Sequence, residues 1–347
     1  MKILINSLLM GLCLVLVACQ SSLDSAYQDY LQRIARIFEL ETSKAADISP
    51  LSYPRSREWV EANEVAKERK TLGLLAFLSL DDCELRYVIA RRNSALGKVA
   101  SPSQRLHYQL DFLHHAPACI ATLSAQGQIQ TAAALSAVMD EKKQHLAWFI
   151  WQGSLGEKEF RKFWQAANRE DNYPANTGAA LITALEQLNA WTSQWLSGDY
   201  ASDIGAYEMS LSVIRAGDGG ALYRALSMQQ SYLNQANTML DNEISVQQRV
   251  CPRGQLSAQA EILQNVVSKF WIQGLQRQSA AFSRRYFALM PALHALEQQL
   301  AEGEPRAYLD WRQQRDAQFE QFLAAPKAHS LRINTLYQRC DLSVGIY

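Results

Sequence analysis

The side chains best placed for chemistry lie between Arg91 and His115. Arg91-Arg92-Asn93-Ser94, with Lys98, Ser101, Ser103 and Arg105, gathers cations, an amide and hydroxyls at the turn between two helical stretches. Such a set can hold a phosphate, a carboxylate or a glycan acid, because backbone N–H groups of the following helix point to the same place. Arg92, Asn93, Ser94, Lys98 and Arg105 are therefore the candidate anion patch. The competing reading gives these residues local work only: Asn93 and Ser94 satisfy the last carbonyls of one helix, and Ser101 caps the next. His107 and His114, seven apart with Asp111 between them, share a helical face. A metal needs three or four converging ligands, and His115 points about 100° away on a helix, so no metal or cofactor is expected. Paired carboxylates for a glycan hydrolase can be drawn from Asp81 and Asp82 or from Glu157 and Glu159, but near neighbours on a helix diverge. The chain contains no H-E-x-x-H, G-x-S-x-G or G-x-x-x-x-G-K-[ST]. Gly217-Asp218-Gly219-Gly220 opens a helix without the lysine or strand of a phosphate loop and reads as a turn.

The N-terminus carries a different chemistry. Lys2 precedes an apolar run from Ile3 to Val17, shorter than the roughly 20 residues needed to cross a bilayer and suited to an export signal. Leu16-Val17-Ala18-Cys19 then resembles the lipobox of bacterial lipoproteins, in which the thiol receives a diacylglycerol and the chain is cut just before it. Residues 1–18 are thus expected to be removed and Cys19 lipidated. By resemblance to the Gram-negative sorting rule, Gln20 rather than Asp after the cysteine implies the outer membrane, facing the periplasm. Three acyl chains, at about 0.8 kcal/mol per buried methylene, hold far more firmly than a single myristoyl chain. The anchor lies only four residues before Leu23, where the first amphipathic helix starts, so the body should ride close to the membrane.

The 347 residues carry 34 basic and 34 acidic side chains. Losing Lys2 with the signal leaves a mature chain near neutrality, which argues against a nucleic-acid partner, since that needs a basic face to displace counterions. Cys83, Cys119, Cys251 and Cys340 remain after processing, an even number for an oxidising compartment with three possible pairings.

Helical periodicity runs through the chain. Tyr27, Tyr30, Leu31, Ile34, Ile37 and Phe38 form one apolar stripe; 42–57 reads as a loop. A helical stretch from 58 to 96, broken near Leu80-Asp81-Asp82, ends with Arg91, Arg92 and Gly97. Ser101-Pro102-Ser103-Gln104 then gives a capping box with proline at the first helical position. These limits define an antiparallel hairpin. Cys83 lies about 20 Å back from its tip and Cys119 about 25 Å beyond it, at 1.5 Å per residue. A slight stagger, or a kink at Pro117, brings the thiols together, which favours Cys83–Cys119 and leaves Cys251–Cys340. Further helices are expected at 128–151, 156–168, 177–197, 203–215, 220–248, 256–301, 305–324 and 328–340, with Pro291 kinking or ending the long one. Tyr308, Trp311, Phe319 and Phe322 make an aromatic stripe that reads as core. The expected fold is all-α, a disulfide-stapled bundle of antiparallel helical hairpins over 19–347, with a lobe boundary placed near 171–176.

Tyr30-Leu31-Gln32-Arg33-Ile34-Ala35-Arg36, Leu80 to Leu85 around Cys83, Arg92-Asn93-Ser94-Ala95-Leu96-Gly97 and Ser103-Gln104-Arg105-Leu106-His107-Tyr108, with Phe112 and Cys119, resemble the bacterial lipoproteins of the domain-of-unknown-function 3080 family. The resemblance implies a lipid-anchored envelope protein and carries no catalytic residue. The leading expectation is a binding or scaffold lipoprotein that engages the membrane through its anchor and another envelope protein or cell-wall component. The alternatives are a periplasmic glycan or lipid hydrolase with an unrecognised helical site, and a small-ligand carrier or sensor.

Overall fold

A computed structural model describes residues 23–42, 52–54, 77–78, 80–165, 173–175, 177–252 and 256–340. Residues 1–18, where an export signal is expected, Cys19 and most of the stretch 58–84 lie outside the described residues. Every regular element described is helical, with no strand, and none of the described helices is long and apolar enough to cross a membrane.

The stripe beginning at Tyr27 becomes the buried face of α1 (Leu23–Phe38), with Tyr27, Tyr30, Leu31, Ile34 and Phe38 almost fully enclosed. Burying side chains of this size contributes about 1.5–3 kcal/mol each. The hairpin comprises α2 (Leu85–Asn93), the single turn α3 (Ala95–Lys98) and α4 (Pro102–Ala125), with α5 (Ile129–Gln144) against α4. Cys83 and Cys119 are bonded, with Cα atoms 5.3 Å apart, and α4 continues past Pro117 without a break. Leu80, Leu85, Val88, Phe112, Ala116 and Leu135 surround that bridge as a small separate core.

The main core is built by α6 (Leu146–Gly153), α7 (Lys158–Gln165), α8 (Ala180–Leu196), α9 (Ile204–Arg215), α10 (Gly219–Asn242), α12 (Gln276–Gln299) and α13 (Arg306–Arg339). Phe160 and Phe163 of α7, Leu181 and Leu185 of α8 and Leu222 of α10 pack in this core. The aromatic stripe of α13 is buried here, Trp311 packing edge-on against Trp164 and Phe319 against Tyr223. A further core joins α1 to α10, α11 (Ala258–Val266), the π-helical Val267–Leu275 and the C-terminal half of α13. Cys251–Cys340 closes its edge, Cα atoms 5.4 Å apart.

Several boundaries differ from the sequence expectation. The stretch 128–151 is two helices, because His145 breaks the run between α5, which serves the hairpin, and α6, whose Trp148, Ile150 and Trp151 enter the main core. The helices expected at 305–324 and 328–340 are one: α13 absorbs Pro326 because Phe322, Ala325, His329 and Ile333 keep one face against its neighbours. Pro291 likewise lies inside α12, which continues to Gln299 between buried Met290 and Leu293. In both places tertiary packing outweighs the missing hydrogen bond. Gly97 does not terminate a helix in the left-handed conformation; it sits within α3, where a Cβ would fall 2.3 Å from the Arg91 carbonyl oxygen. Gly219 is required for a similar reason, a Cβ there meeting the Phe163 ring at 2.4 Å. Beside it Asp218 binds Arg285 at 2.5 Å and accepts from the Tyr173 hydroxyl at 2.8 Å, so the glycine-rich segment is a packed turn.

Candidate functional site

Ser103 is the meeting point of three elements. Ser101 caps α4, its Oγ accepting the Gln104 N–H at 3.2 Å while Gln104 Oε1 accepts the Ser101 N–H at 3.1 Å. The Ser103 amide, another group that a helix start leaves unpaired, donates to Glu157 Oε1 at 2.7 Å. Glu157 comes from the turn between α6 and α7 and also accepts the Lys158 N–H at 3.3 Å. The Ser103 hydroxyl donates to Glu208 Oε1 of α9 at 2.6 Å and lies 2.8 Å from Ser101 Oγ. One turn further, His107 Nδ1 is 3.0 Å from Ser202 Oγ, with the ring edge-on to Trp195 and Tyr207. Burial raises the Glu157 carboxyl above the ordinary glutamate value, against the pull of its bonds from Ser103. Burial also lowers His107 to about 4, with Asp111 and Asp203 opposing, so its imidazole is neutral at physiological pH.

Two carboxylates, a serine and a histidine are the ingredients of hydrolytic chemistry, but here they serve as a joint. Ser103 is 1% exposed, its amide and hydroxyl are both engaged, and the His107 bond goes to Ser202 rather than to Ser103. Glu157 thus occupies the α4 N-terminus with a carboxylate from the chain itself.

The candidate patch lies just above this joint. Arg91 pairs with Asp111 at 2.9 Å, Arg92 Nη1 donates to the Gly97 carbonyl at 3.1 Å, and Arg105 Nη1 donates to the Ala100 carbonyl at 3.1 Å. Ser94 Oγ accepts the Gly97 N–H at 3.1 Å and donates to the Arg91 carbonyl at 2.8 Å. Asn93 and Lys98 are exposed. Arg92, Ser94 and Lys98 share the tip, Arg105 lies one turn into α4, and much of their hydrogen bonding goes to the tip's own carbonyls. The histidines separate: His107 is buried, whereas His114 is exposed and its ring lies edge-on to His115. Among the described residues no group of three His, Cys, Asp or Glu is placed to hold a metal ion. Asp81 is turned to Arg86, and Asp82 accepts from Gln126 at 2.8 Å.

Two buried polar networks have no counterpart in the sequence reading. His329 Nε2 is 2.7 Å from the Tyr30 hydroxyl and its Nδ1 2.6 Å from Asn237 Oδ1, joining α13, α1 and α10. Burial, assisted by Arg332, lowers this histidine to about 3. Arg315 and Glu297 form a fully enclosed two-pronged pair at 2.6 and 2.9 Å, and Tyr308 donates to the same Glu297 at 2.8 Å. The guanidinium lies over the rings of Trp164 and Trp311, 5.2 and 5.1 Å from their centroids. Burial works against the charge of Arg315, and Glu297 more than offsets it. Sequence spacing gives no sign of either network, because the partners lie on different helices, 11 and 18 residues apart at Glu297 and 299 and 92 apart at His329, and leave no local pattern.

Residues 27–344 match the family described as "Protein of unknown function (DUF3080)". The chain belongs to this family. No curated protein and no solved structure matches it. The DUF3080 match takes in the hairpin tip, Glu157, both buried networks and both disulfides. Two disulfides in this DUF3080 chain suit an oxidising compartment outside the cytoplasm.

Proposed function

We propose that this DUF3080 protein is a lipoprotein of the cell envelope, anchored through Cys19 on the periplasmic face of the outer membrane, and that it acts by binding. The observation that carries the binding reading is the contrast at the hairpin tip. Ser103 and Glu157 are enclosed and bonded to each other, and the half-buried Glu208 accepts from the Ser103 hydroxyl, whereas Leu96 and Val99 stand out of the fold at 81% and 79% exposure. A hydrolase would need its serine or its paired carboxylates open to substrate. A carrier would need an unfilled apolar chamber, and the aromatic side chains of α13 are instead packed against one another and their neighbours. The anchor reading is supported by Leu16-Val17-Ala18-Cys19 and by the two disulfides.

The test has two parts. Mass spectrometry of the N-terminal peptide from isolated envelopes should find an acylated Cys19, and Cys19→Ala should abolish the modification and release the protein from the membrane fraction. A photo-crosslinking amino acid at position 96 in living cells should capture a discrete molecule that the same probe at exposed Phe287 does not. An unmodified Cys19 overturns the anchor; identical patterns at both positions overturn the tip as the binding surface.

A further inference from the structure

The turn α3 reverses the usual arrangement of an amphipathic element. Gly97 and Ala100, three apart, face inward and are buried, while Leu96 and Val99, also three apart, share the outer face. Gly97 is pressed onto the Arg91 and Arg92 carbonyls, Ser94 caps the turn, and Arg92 grips it from the side. The outward pose of the two large apolar side chains is thus fixed by a small, well-tied inner face. Single exposed apolar residues are ordinary; here two neighbouring ones are held outward together by the same tied turn.

The charge around this pair selects its partner. From Leu85 to Leu110 the chain carries Arg86, Arg91, Arg92, Lys98 and Arg105 and no acidic residue. Glu157 and Glu208, brought to the start of α4 by the fold, each accept a hydrogen bond from Ser103. Arg86 and Arg91 are paired with Asp81 and Asp111, while Lys98 is exposed between Leu96 and Val99. A lysine flanked by two protruding aliphatic side chains suits a boundary where anionic headgroups overlie hydrocarbon: the amine stays among the headgroups while the aliphatic groups enter below.

We propose that the α2–α3–α4 tip docks on an anionic phospholipid surface, with Leu96 and Val99 entering the headgroup boundary and Lys98 and Arg92 meeting lipid phosphates. The proposal rests on the reading of the tip as the binding surface and names its partner; it does not depend on acylation.

The chain from Gln20 onward, which contains every described residue, can be tested without its acyl chains. Co-sedimentation should show binding to vesicles of phosphatidylethanolamine containing phosphatidylglycerol, little binding to pure phosphatidylcholine, and loss of binding in high salt. Leu96→Ser with Val99→Ser should weaken binding about tenfold or more, and Lys98→Gln about fivefold. Phe287→Ser should leave binding unchanged, and the helical circular dichroism of every variant should match the parent. Failure to bind the anionic vesicles, equal binding by the tip variants, or equal loss with Phe287→Ser overturns the proposal. A position-96 crosslink to a protein in cells, combined with no vesicle binding, would sink the lipid partner and leave the tip as the binding surface.

Discussion

Glu157 accepts the Ser103 amide at 2.7 Å across 54 residues of chain, and so ties the first turn of α4 to the turn between α6 and α7. This contact sets the hairpin on the main core. It also places a carboxylate where an outside anion would otherwise meet the helix N-terminus. Glu157→Ala should leave a buried N–H unpaired and cost about 1–3 kcal/mol; Glu157→Gln, which keeps an acceptor, should cost less. Because burial raises this carboxyl, the folded state binds a proton more tightly than the unfolded chain. Its contribution therefore falls as pH rises from the ordinary glutamate value through the raised one. Urea unfolding across that range should show this slope in the parent and lose it in the Gln variant.

The buried histidines act with the opposite sign. His107 and His329 are lowered to about 4 and about 3, so the fold refuses protons that the unfolded chain accepts near pH 6.5. Their stabilisation is complete above about pH 6.5 and is lost as pH falls toward those values. The slope is on the order of 1.4 kcal/mol per pH unit for each histidine. Unfolding midpoints should drop between pH 7 and pH 5, and His329→Gln should show a shallower drop despite its lower starting stability.

Arg315 and Glu297 are enclosed together, so removing either partner strands a charge. Arg315→Met or Glu297→Met alone should cost about 3–5 kcal/mol, and the double variant far less than the sum. A double-mutant cycle by urea unfolding checks this, and strictly additive losses would show that the two groups are not coupled.

The disulfides close loops of different length, with sequence separations of 36 and 89. In the chain-entropy model these contribute about 4 and about 5 kcal/mol. Cys83→Ser with Cys119→Ser should loosen the hairpin core, read as faster amide exchange at Leu85, Val88 and Phe112. Cys251→Ser with Cys340→Ser should leave those amides protected and lower the unfolding midpoint.

The parts of this architecture that were legible in the sequence are local. Ser101 and Gln104 announce the start of α4 because both halves of a capping box lie within one turn. Counting helical rise from the tip levels Cys83 with Cys119 for the same reason. Helix ends were less legible, because the local cost of a proline competes with burial that a linear reading does not see: Pro326 and Pro291 lie inside α13 and α12, carried by the packed faces on either side of them. The tip was legible as a concentration of cations and hydroxyls but not in its use of them. Arg92, Ser94 and Arg105 turn to carbonyls of the tip itself, and the outward pose of Leu96 and Val99 follows from the close approach of Gly97. Glu208 and Ser103, 105 residues apart, share a hydrogen bond that no spacing rule anticipates.

The most direct measurement places an environment-sensitive fluorescent amino acid at position 96 of the chain from Gln20 onward, mixed with vesicles containing phosphatidylglycerol. The account predicts a blue-shifted emission that lipid-borne quenchers reduce and high salt reverses, with the same probe at position 287 remaining water-exposed. A position-96 probe that stays in water in the presence of these vesicles, or one indistinguishable from position 287, would contradict it.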